Sequence, residues 1–315
     1  MTRRVPRLWE LRLLPRRPEL DPVKRAHTVS DLRAAARKRA PKAVFEYLDG
    51  GSDGEITLHR NRSAYDRVEF HPRVLVGGEA DTATAILGQP ASLPLVLAPT
   101  GYTRMMHPDG EPAVARAATA AGIPYVLSTM GTTAPEVLRC DNLWFQLYVW
   151  DDRGFTKELI DRARGCGALV LTVDTPVPGN RIRDAHNRLS LPPRHGPATF
   201  LDFGSRNFAR DLKWSDLAWL RETWSGPLVV KGIQGVADAV RAADFGADAI
   251  VLSNHGGRQL DRSPPPWTSC PPSPTPWVPA STFSSTAASG PAATSPPPSP
   301  SAPKPASSGV LTCTA

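Results

Sequence analysis

Cysteine is scarce in this 315-residue chain: Cys140, Cys166, Cys270 and Cys313 are the only four. Their spacing is unpaired, which argues against a disulfide framework or a cysteine-ligated metal and favours a reducing, intracellular setting. No run of about 18 apolar residues occurs, and the N-terminus lacks the apolar stretch of a secretory signal. The expectation is therefore a cytoplasmic protein, or one peripheral to the inner face of a membrane. Acidic residues are absent from 262–315, where 15 of the chain's 34 prolines and 12 serines crowd together. Proline removes backbone donors and breaks both helix and strand, so this segment is expected to be a disordered low-complexity tail unable to form a ladder.

The net charge is +7, which raises the question of a nucleic-acid partner. Much of the excess lies in residues 1–39, without interleaved aromatics or zinc-ligand spacing, so a solvated arm or an anionic-surface contact is expected and nucleic acid is not. The chain divides into a basic arm at 1–30, a patterned region at 31–261 and the tail at 262–315.

The patterned region alternates short apolar runs with helical segments. The runs are Pro94–Ala98, Pro124–Ser128, Trp144–Val149, Ala168–Val173, Pro227–Lys231 and Asp248–Ser253. Between them Glu111–Ala121, Phe155–Arg164 and Val236–Phe245 read as helices, the last stopped by Gly246. Ahead of them Asp31–Asp49 reads as a helical entry broken at Pro41. Alternation of this kind signals parallel βα units. The fold class is α/β, a (β/α)8 TIM barrel that is incomplete, with about six units where closure needs eight. The stretch Pro176–Trp214 is too long for an ordinary connection and reads as a lid at the catalytic face.

The most informative run is Ser253-Asn254-His255-Gly256-Gly257-Arg258-Gln259-Leu260-Asp261, which directly follows the apolar Ala249–Leu252. It sets an imidazole and a guanidinium in a glycine-loosened loop at a strand's C-terminal end, where barrel enzymes keep their catalytic groups. Taken alone, His255 is also a strand-end cap and Arg258 a surface ion-pair former. Asp174, ending Leu171-Thr172-Val173-Asp174-Thr175-Pro176, is equally a turn or cap residue. Tyr47 and Tyr148 are equally core aromatics with satisfied hydroxyls.

The SNHGGRQLD run and LTVDTP together resemble the FMN-dependent L-2-hydroxy acid oxidoreductases, the family of glycolate oxidase, mandelate dehydrogenase and flavin L-lactate dehydrogenase, over about residues 30–266. The resemblance implies FMN as cofactor and a small 2-hydroxy acid as substrate. It implies His255 as base, Asp174 as the carboxylate that orients it, and Tyr148 as the partner of the substrate hydroxyl. Tyr47, Arg181 and Arg258 would bind the substrate carboxylate, with Arg183 a competitor for the place of Arg181. Bidentate binding of that kind suits guanidinium better than ammonium. For the flavin, the implied contacts are Pro99, Thr100 and Gly101 as a backbone platform, with Ser128, Gln146, Thr172, Lys231 and Ser253 at the ring. A cation such as Lys231 stabilises negative charge on the reduced ring. Glycine at 101 resembles dehydrogenases more than oxidases, leaving the acceptor open among a quinone, a carrier protein and oxygen. Members of the family are often homo-oligomers.

The chain departs from the family after Asp261. The Asp-Gly-Gly and Gly-Arg segments that hold the FMN phosphate are missing. Read one base out of register with GC-rich wobble bases, the codons of Ser285–Gly290 become Val-Asp-Gly-Gly-Ile-Arg and those of Gly309–Val310 become Gly-Arg. The tail thus reads as family sequence out of frame. Three readings follow: an FMN oxidoreductase of a lactate-like acid, a non-catalytic unstable product, or an FMN barrel of another chemistry such as an isomerase. The paired arginines and the His-Arg run disfavour the last.

Overall fold

A computed structural model of the chain describes residues 23–189, 207–269 and 309–312. The entry segment forms α1 (Val29–Arg39) and α2 (Lys42–Asp49), separated at Pro41, followed by α3 (Ile56–Tyr65). Thr28 and Asp31 cap α1 reciprocally: Asp31 N donates to Thr28 Oγ1, and Thr28 N to Asp31 Oδ2. An antiparallel hairpin, β1 (Thr84–Ile86) with β2 (Gln89–Ala91), comes next.

Alternating elements then build the body. They run α4 (Gly110–Ala121), β3 (Tyr125–Ser128), β4 (Leu143–Leu147), α5 (Arg153–Arg162), β5 (Leu169–Thr172), α6 (Ile182–His186) and α7 (Trp214–Thr223). After them come β6 (Leu228–Ile233), α8 (Val236–Asp244), β7 (Ala249–Leu252) and β8 (Gly309–Thr312). The sheet order is β3-β4-β5-β6-β7-β8, every pair parallel. This is the TIM-barrel-like α/β architecture expected from the alternation.

Two expectations need correction. Pro94–Ala98 is not a full strand: Leu97 alone bridges Tyr125, giving its N–H to Pro124 O and taking Val126 N–H, each at 2.9 Å. Pro94 has no N–H, and Leu95 N turns back to Leu93 O, so a ladder cannot extend below Leu97. The tail also does pair: β8 lies in register on β7, Ala249 opposite Gly309 through Leu252 opposite Thr312. Those four residues, Gly-Val-Leu-Thr, are free of the prolines that dominate the rest of 262–315. Pro266–Ser269 adds a 3-10 turn. The arm at 1–22 and the stretch 270–308, with the implied Asp-Gly-Gly position, lie outside the described residues, as does the middle of the expected lid, 190–206.

Strands β3 to β7 are buried almost throughout because both their faces are covered. One face packs Leu127, Phe145, Leu147, Leu169, Leu171, Leu228 and Val230 against the helices, including Ala118 of α4, Ile160 of α5 and Leu220 of α7. The other packs Val126, Trp144, Val170, Val229 and Val251 against one another and on the hairpin residues Ile86 and Ala91. The hairpin therefore plugs that inner layer.

Glu111, in the first turn of α4, is fully buried, and no ion pair to it is seen among the described residues. Its carboxylate accepts from Thr132 N at 2.7 Å, Thr132 Oγ1 at 2.6 Å and Thr133 Oγ1 at 2.9 Å. Burial acts to raise its pKa, yet these donors hold it below the usual carboxylate value. Replacing Glu111 with Ala strands those donors; at about 1.5–3 kcal/mol per hydrogen bond to a charged group, a loss of at least about 3 kcal/mol is expected in thermal or denaturant melts of the full chain. A melt within about 1 kcal/mol of the parent would mean water replaces the carboxylate there.

Candidate active site

Side chains alternate faces along a strand, so two residues beyond each inner apolar residue the same face is met again. At that level the inner face turns polar: Val126 is followed by Ser128, Trp144 by Gln146, Val170 by Thr172, Val229 by Lys231 and Val251 by Ser253. All five are buried. Register sets Ser128 beside Gln146 and Thr172 beside Lys231. Ser128 Oγ donates to Gln146 Oε1 at 3.1 Å, and Gln146 Nε2 donates to Thr172 Oγ1 at 3.0 Å. Ser253 Oγ accepts from His255 N at 2.9 Å. Pro99 and Thr100 follow the Leu97 bridge, and Gly101 lies so close to Met130 that an added Cβ would sit 2.9 Å from the Met130 Cβ. Neighbouring Tyr102 N donates to Met130 O at 2.9 Å, tying the two loops together.

His255 and Asp174 meet although 81 residues apart, His255 Nδ1 lying 2.8 Å from Asp174 Oδ1. With that contact made as a donor bond, the neutral imidazole keeps its Nε2 lone pair for chemistry. His255 has φ 58°, a left-handed conformation uncommon outside glycine and concentrated at functional sites. Burial first, then Lys231 and Arg258, push its pKa below 6.5 against the pull of Asp174. Burial acts to raise Asp174, but Lys231 and then His255 bring it below the ordinary carboxylate value. Lys231 Nζ stands 3.8 Å from Asp174 Oδ2, beyond hydrogen-bonding distance, and that oxygen is buried with no hydrogen-bond partner among the described residues.

The two arginines converge on Tyr47. Arg181 and Arg258 each carry their guanidinium carbon 5.0 Å from the centre of its ring. Arg258 is held from behind, Nη1 donating to Tyr47 O at 2.5 Å and Gly50 O at 2.8 Å at the C-terminal end of α2, where a helix dipole favours a cation. Arg183, the competitor for Arg181, turns elsewhere: it pairs with Asp49 and Glu55. It lines a cavity of about 470 Å³ with Arg33, Lys42 and Glu46, which contains none of the other residues singled out for chemistry. Tyr148 packs on Phe208 at 4.6 Å between ring centres. Burial, then Asp174, Tyr47 and Tyr102, push its hydroxyl pKa up, so it remains a proton donor.

Tyr102 and Asp184 were not anticipated from sequence. Tyr102 sits edge-on to Tyr47 at 6.3 Å, its hydroxyl pushed up to about 12 by burial and then by Tyr47. Asp184 lies one helical turn past Arg181; that i, i+3 acid was the available signal. Asp261 accepts from Gly54 N and Thr57 N, and Asn254 exchanges amide bonds with Asn61, strapping the catalytic loop to α3.

Residues 36–272 match the family model for FMN-dependent dehydrogenases. The chain belongs to that family. It is 43% identical to a putative L-lactate dehydrogenase of Mycobacterium tuberculosis, over 85% of this chain and 75% of that one. To the L-lactate dehydrogenase of Caulobacter vibrioides it is 40% identical, covering 74% and 72%. Among solved structures, mandelate oxidase in complex with a difluorinated 2-hydroxy acid matches with a TM-score of 0.71 at 41% identity, over 76% of this chain and 72% of that chain. A soluble mutant of the membrane-associated (S)-mandelate dehydrogenase of Pseudomonas putida matches with a TM-score of 0.73 at 40% identity, covering 76% and 74%. The protein is an FMN-dependent oxidoreductase of 2-hydroxy acids. No helix among the described residues is long and apolar enough to cross a membrane.

The residues present suit the ring of FMN, whose phosphate has no counterpart site among the described residues. A buried ammonium is costly in a closed core, and Lys231 stands 3.8 Å from a buried carboxylate oxygen, Asp174 Oδ2, that has no hydrogen-bond partner among the described residues, at the end of a row of buried hydroxyl and amide groups. A flat, polar heterocycle matches that donor set. The same close packing makes a prediction at Gly179, where an added Cβ would sit 2.1 Å from Arg258 O. Gly179→Ala must displace the loop that carries Arg258, at about 1–3 kcal/mol for overpacking, and is expected to lower affinity for a 2-hydroxy acid. Calorimetric titration with a 2-hydroxy acid, together with a melt, checks both; unchanged affinity would show that the loop moves without Arg258.

Proposed function

We propose that the protein oxidises a small L-2-hydroxy acid of the lactate type to the 2-oxo acid, with His255 accepting the proton. The observation that carries this reading is the convergence of an oriented imidazole, His255 on Asp174, with two guanidiniums on one tyrosine ring. FMN, when bound, would take up the two electrons and one of the two protons that the substrate loses, His255 taking the other. Arg258 and Arg181, with the Tyr47 hydroxyl, bind the carboxylate and fix which face of the acid meets His255. Tyr148 donates to the substrate hydroxyl. Asp174 holds the His255 ring and stabilises the imidazolium formed when Nε2 takes the proton. Ser128, Gln146, Thr172, Ser253 and Lys231 hold the ring of the cofactor against the platform at Pro99, Thr100 and Gly101, and Lys231 favours negative charge there. A recess of about 70 Å³ beside Tyr148, walled in part by Val173, Pro176, Phe208 and Leu212, supports a methyl-sized substituent. The L-lactate dehydrogenases among its relatives support the same choice.

His255→Gln tests the base. The variant is expected to keep yellow FMN while flavin reduction by substrate falls about 10²–10⁴-fold, read by stopped-flow absorbance in the full chain supplied with FMN. Reduction at the parent rate would sink the assignment.

A second test uses pH. A base must be neutral to accept a proton, and burial, Lys231 and Arg258 lower the His255 pKa. The acid limb of kcat/KM is therefore expected below the ordinary imidazole value of about 6.5, activity being retained above that limb and lost as pH falls through it. Lys231→Met, which removes one cause of the lowering, should move the limb upward. A limb above 6.5 in the parent would assign the titration to another group.

A further inference from the structure

The cavity of about 470 Å³ that takes in Arg183 is separate from the substrate pocket, although α2 and α6 contribute to both. In α2, Phe45 and Asp49 lie four residues apart and line the cavity, while Tyr47, two residues from each, faces the other way toward Arg181 and Arg258. No residue of the row assigned to the cofactor ring lines it. Its acids are already engaged. Asp49 takes Nε and Nη2 of Arg33 at 2.5 and 2.8 Å, and Nη1 of Arg183 at 3.3 Å. Glu46 accepts from Asn187 Nδ2 at 2.5 Å, while Lys42 Nζ stands 3.8 Å from it, beyond hydrogen-bonding distance. The cations at the mouth keep donors to spare. Arg37, exposed in the last turn of α1, has no acidic partner among the described residues, and Arg33 spends none of Nη1 on Asp49. Arg33, Arg37, Lys42 and Arg183 stand against Glu46 and Asp49; with Glu55, which holds Arg183 from outside the lining, also counted, one positive charge remains.

We propose that this cavity is a second anion site, which takes the phosphate group of a small molecule or of a lipid headgroup through Arg37, Lys42 and the unused edge of Arg33. Arg33 and Arg37 are one turn apart on α1, and Lys42 opens α2, so the donors come from two elements and from different directions. A tetrahedral oxyanion offers acceptor oxygens in as many directions, and guanidinium forks suit it well. A planar carboxylate, with its two oxygens on one side, satisfies fewer of these donors. A metal ion does not suit the site, because both lining carboxylates already carry guanidinium or amide donors. Phe45 is buried at the floor and steadies Arg33, whose guanidinium carbon lies 5.8 Å from the centre of its ring.

Calorimetric titration of the full chain, supplied with FMN, with inorganic phosphate tests the inference. Co-sedimentation with phosphatidylcholine vesicles, with and without phosphatidic acid, separates a free ligand from a headgroup. The parent should bind phosphate, and the double substitution Arg37→Ala with Lys42→Ala should weaken that binding at least about tenfold, the order expected for losing two charge-assisted donors. Both residues are exposed and outside the substrate pocket, so the variant is expected to fold and to reduce its flavin with substrate at the parent rate. Retention of the parent on acidic vesicles alone, lost in the double variant, assigns the headgroup as the source of the phosphate. A parent that takes up neither phosphate nor phosphatidic acid overturns the inference. Phosphate affinity unchanged in the double variant overturns it as well, and moves the anion to Arg181 and Arg258 or to another basic surface.

Discussion

The active centre depends on alternation across a parallel sheet that is buried on both faces. Because successive side chains point to opposite faces, the inward residues of β3 to β7 recur every second position. One inward level is apolar and joins the hairpin to seal the interior; the next, at Ser128, Gln146, Thr172, Lys231 and Ser253, is polar. A shift of one residue in any of these strands would turn its polar group toward the helices and a residue of the outer face inward. The register that closes the core therefore also gathers these five polar groups on one level.

Above that level, loops carry the chemistry and are held by ties over long sequence distances. His255 and Asp174 come from successive parts of the sheet, β7 and β5, with β6 and Lys231 between them. The Asp174–His255–Lys231 set is a compact electrostatic unit. Burial acts against the Asp174 carboxylate, but Lys231 and then His255 lower its pKa; burial first, and then Lys231, lower that of His255. Arg258 is anchored through backbone carbonyls at the end of α2, and Ser52, in the turn after α2, donates its N–H and its hydroxyl to Gly257 O in the same loop. The entry helices therefore act as one wall of the site.

Charge in the substrate pocket follows from the same packing. Arg183, two residues from Arg181, is drawn off by Asp49 and Glu55, which leaves Arg181 and Arg258 to converge on Tyr47. Tyr47 supplies a ring face to both cations, and Tyr102 buttresses its edge. A tyrosine ring at that point serves as a surface for both cations.

Much of this was legible in the chain alone. Apolar runs of four to six residues with helical segments between them bury both faces as parallel strands, so the βα alternation was readable from periodicity; Thr172, Lys231 and Ser253 came from the resemblance. The motif around His255 and the LTVDTP run pointed to the flavin family. Pairings across the sequence were not readable. Whether Arg181 or Arg183 faces the site depends on where Asp49 and Glu55 lie. Asp184 meets Arg181 only because α6 turns it back, and Tyr102 meets Tyr47 only because Met130 holds its backbone. The proline content of the tail forecast no ladder, yet four proline-free residues sit on the open edge of β7. Composition averages over a segment, whereas strand pairing needs only a few donors and acceptors in register; local pattern determined the elements, and the contacts between distant elements decided which side chains became a site.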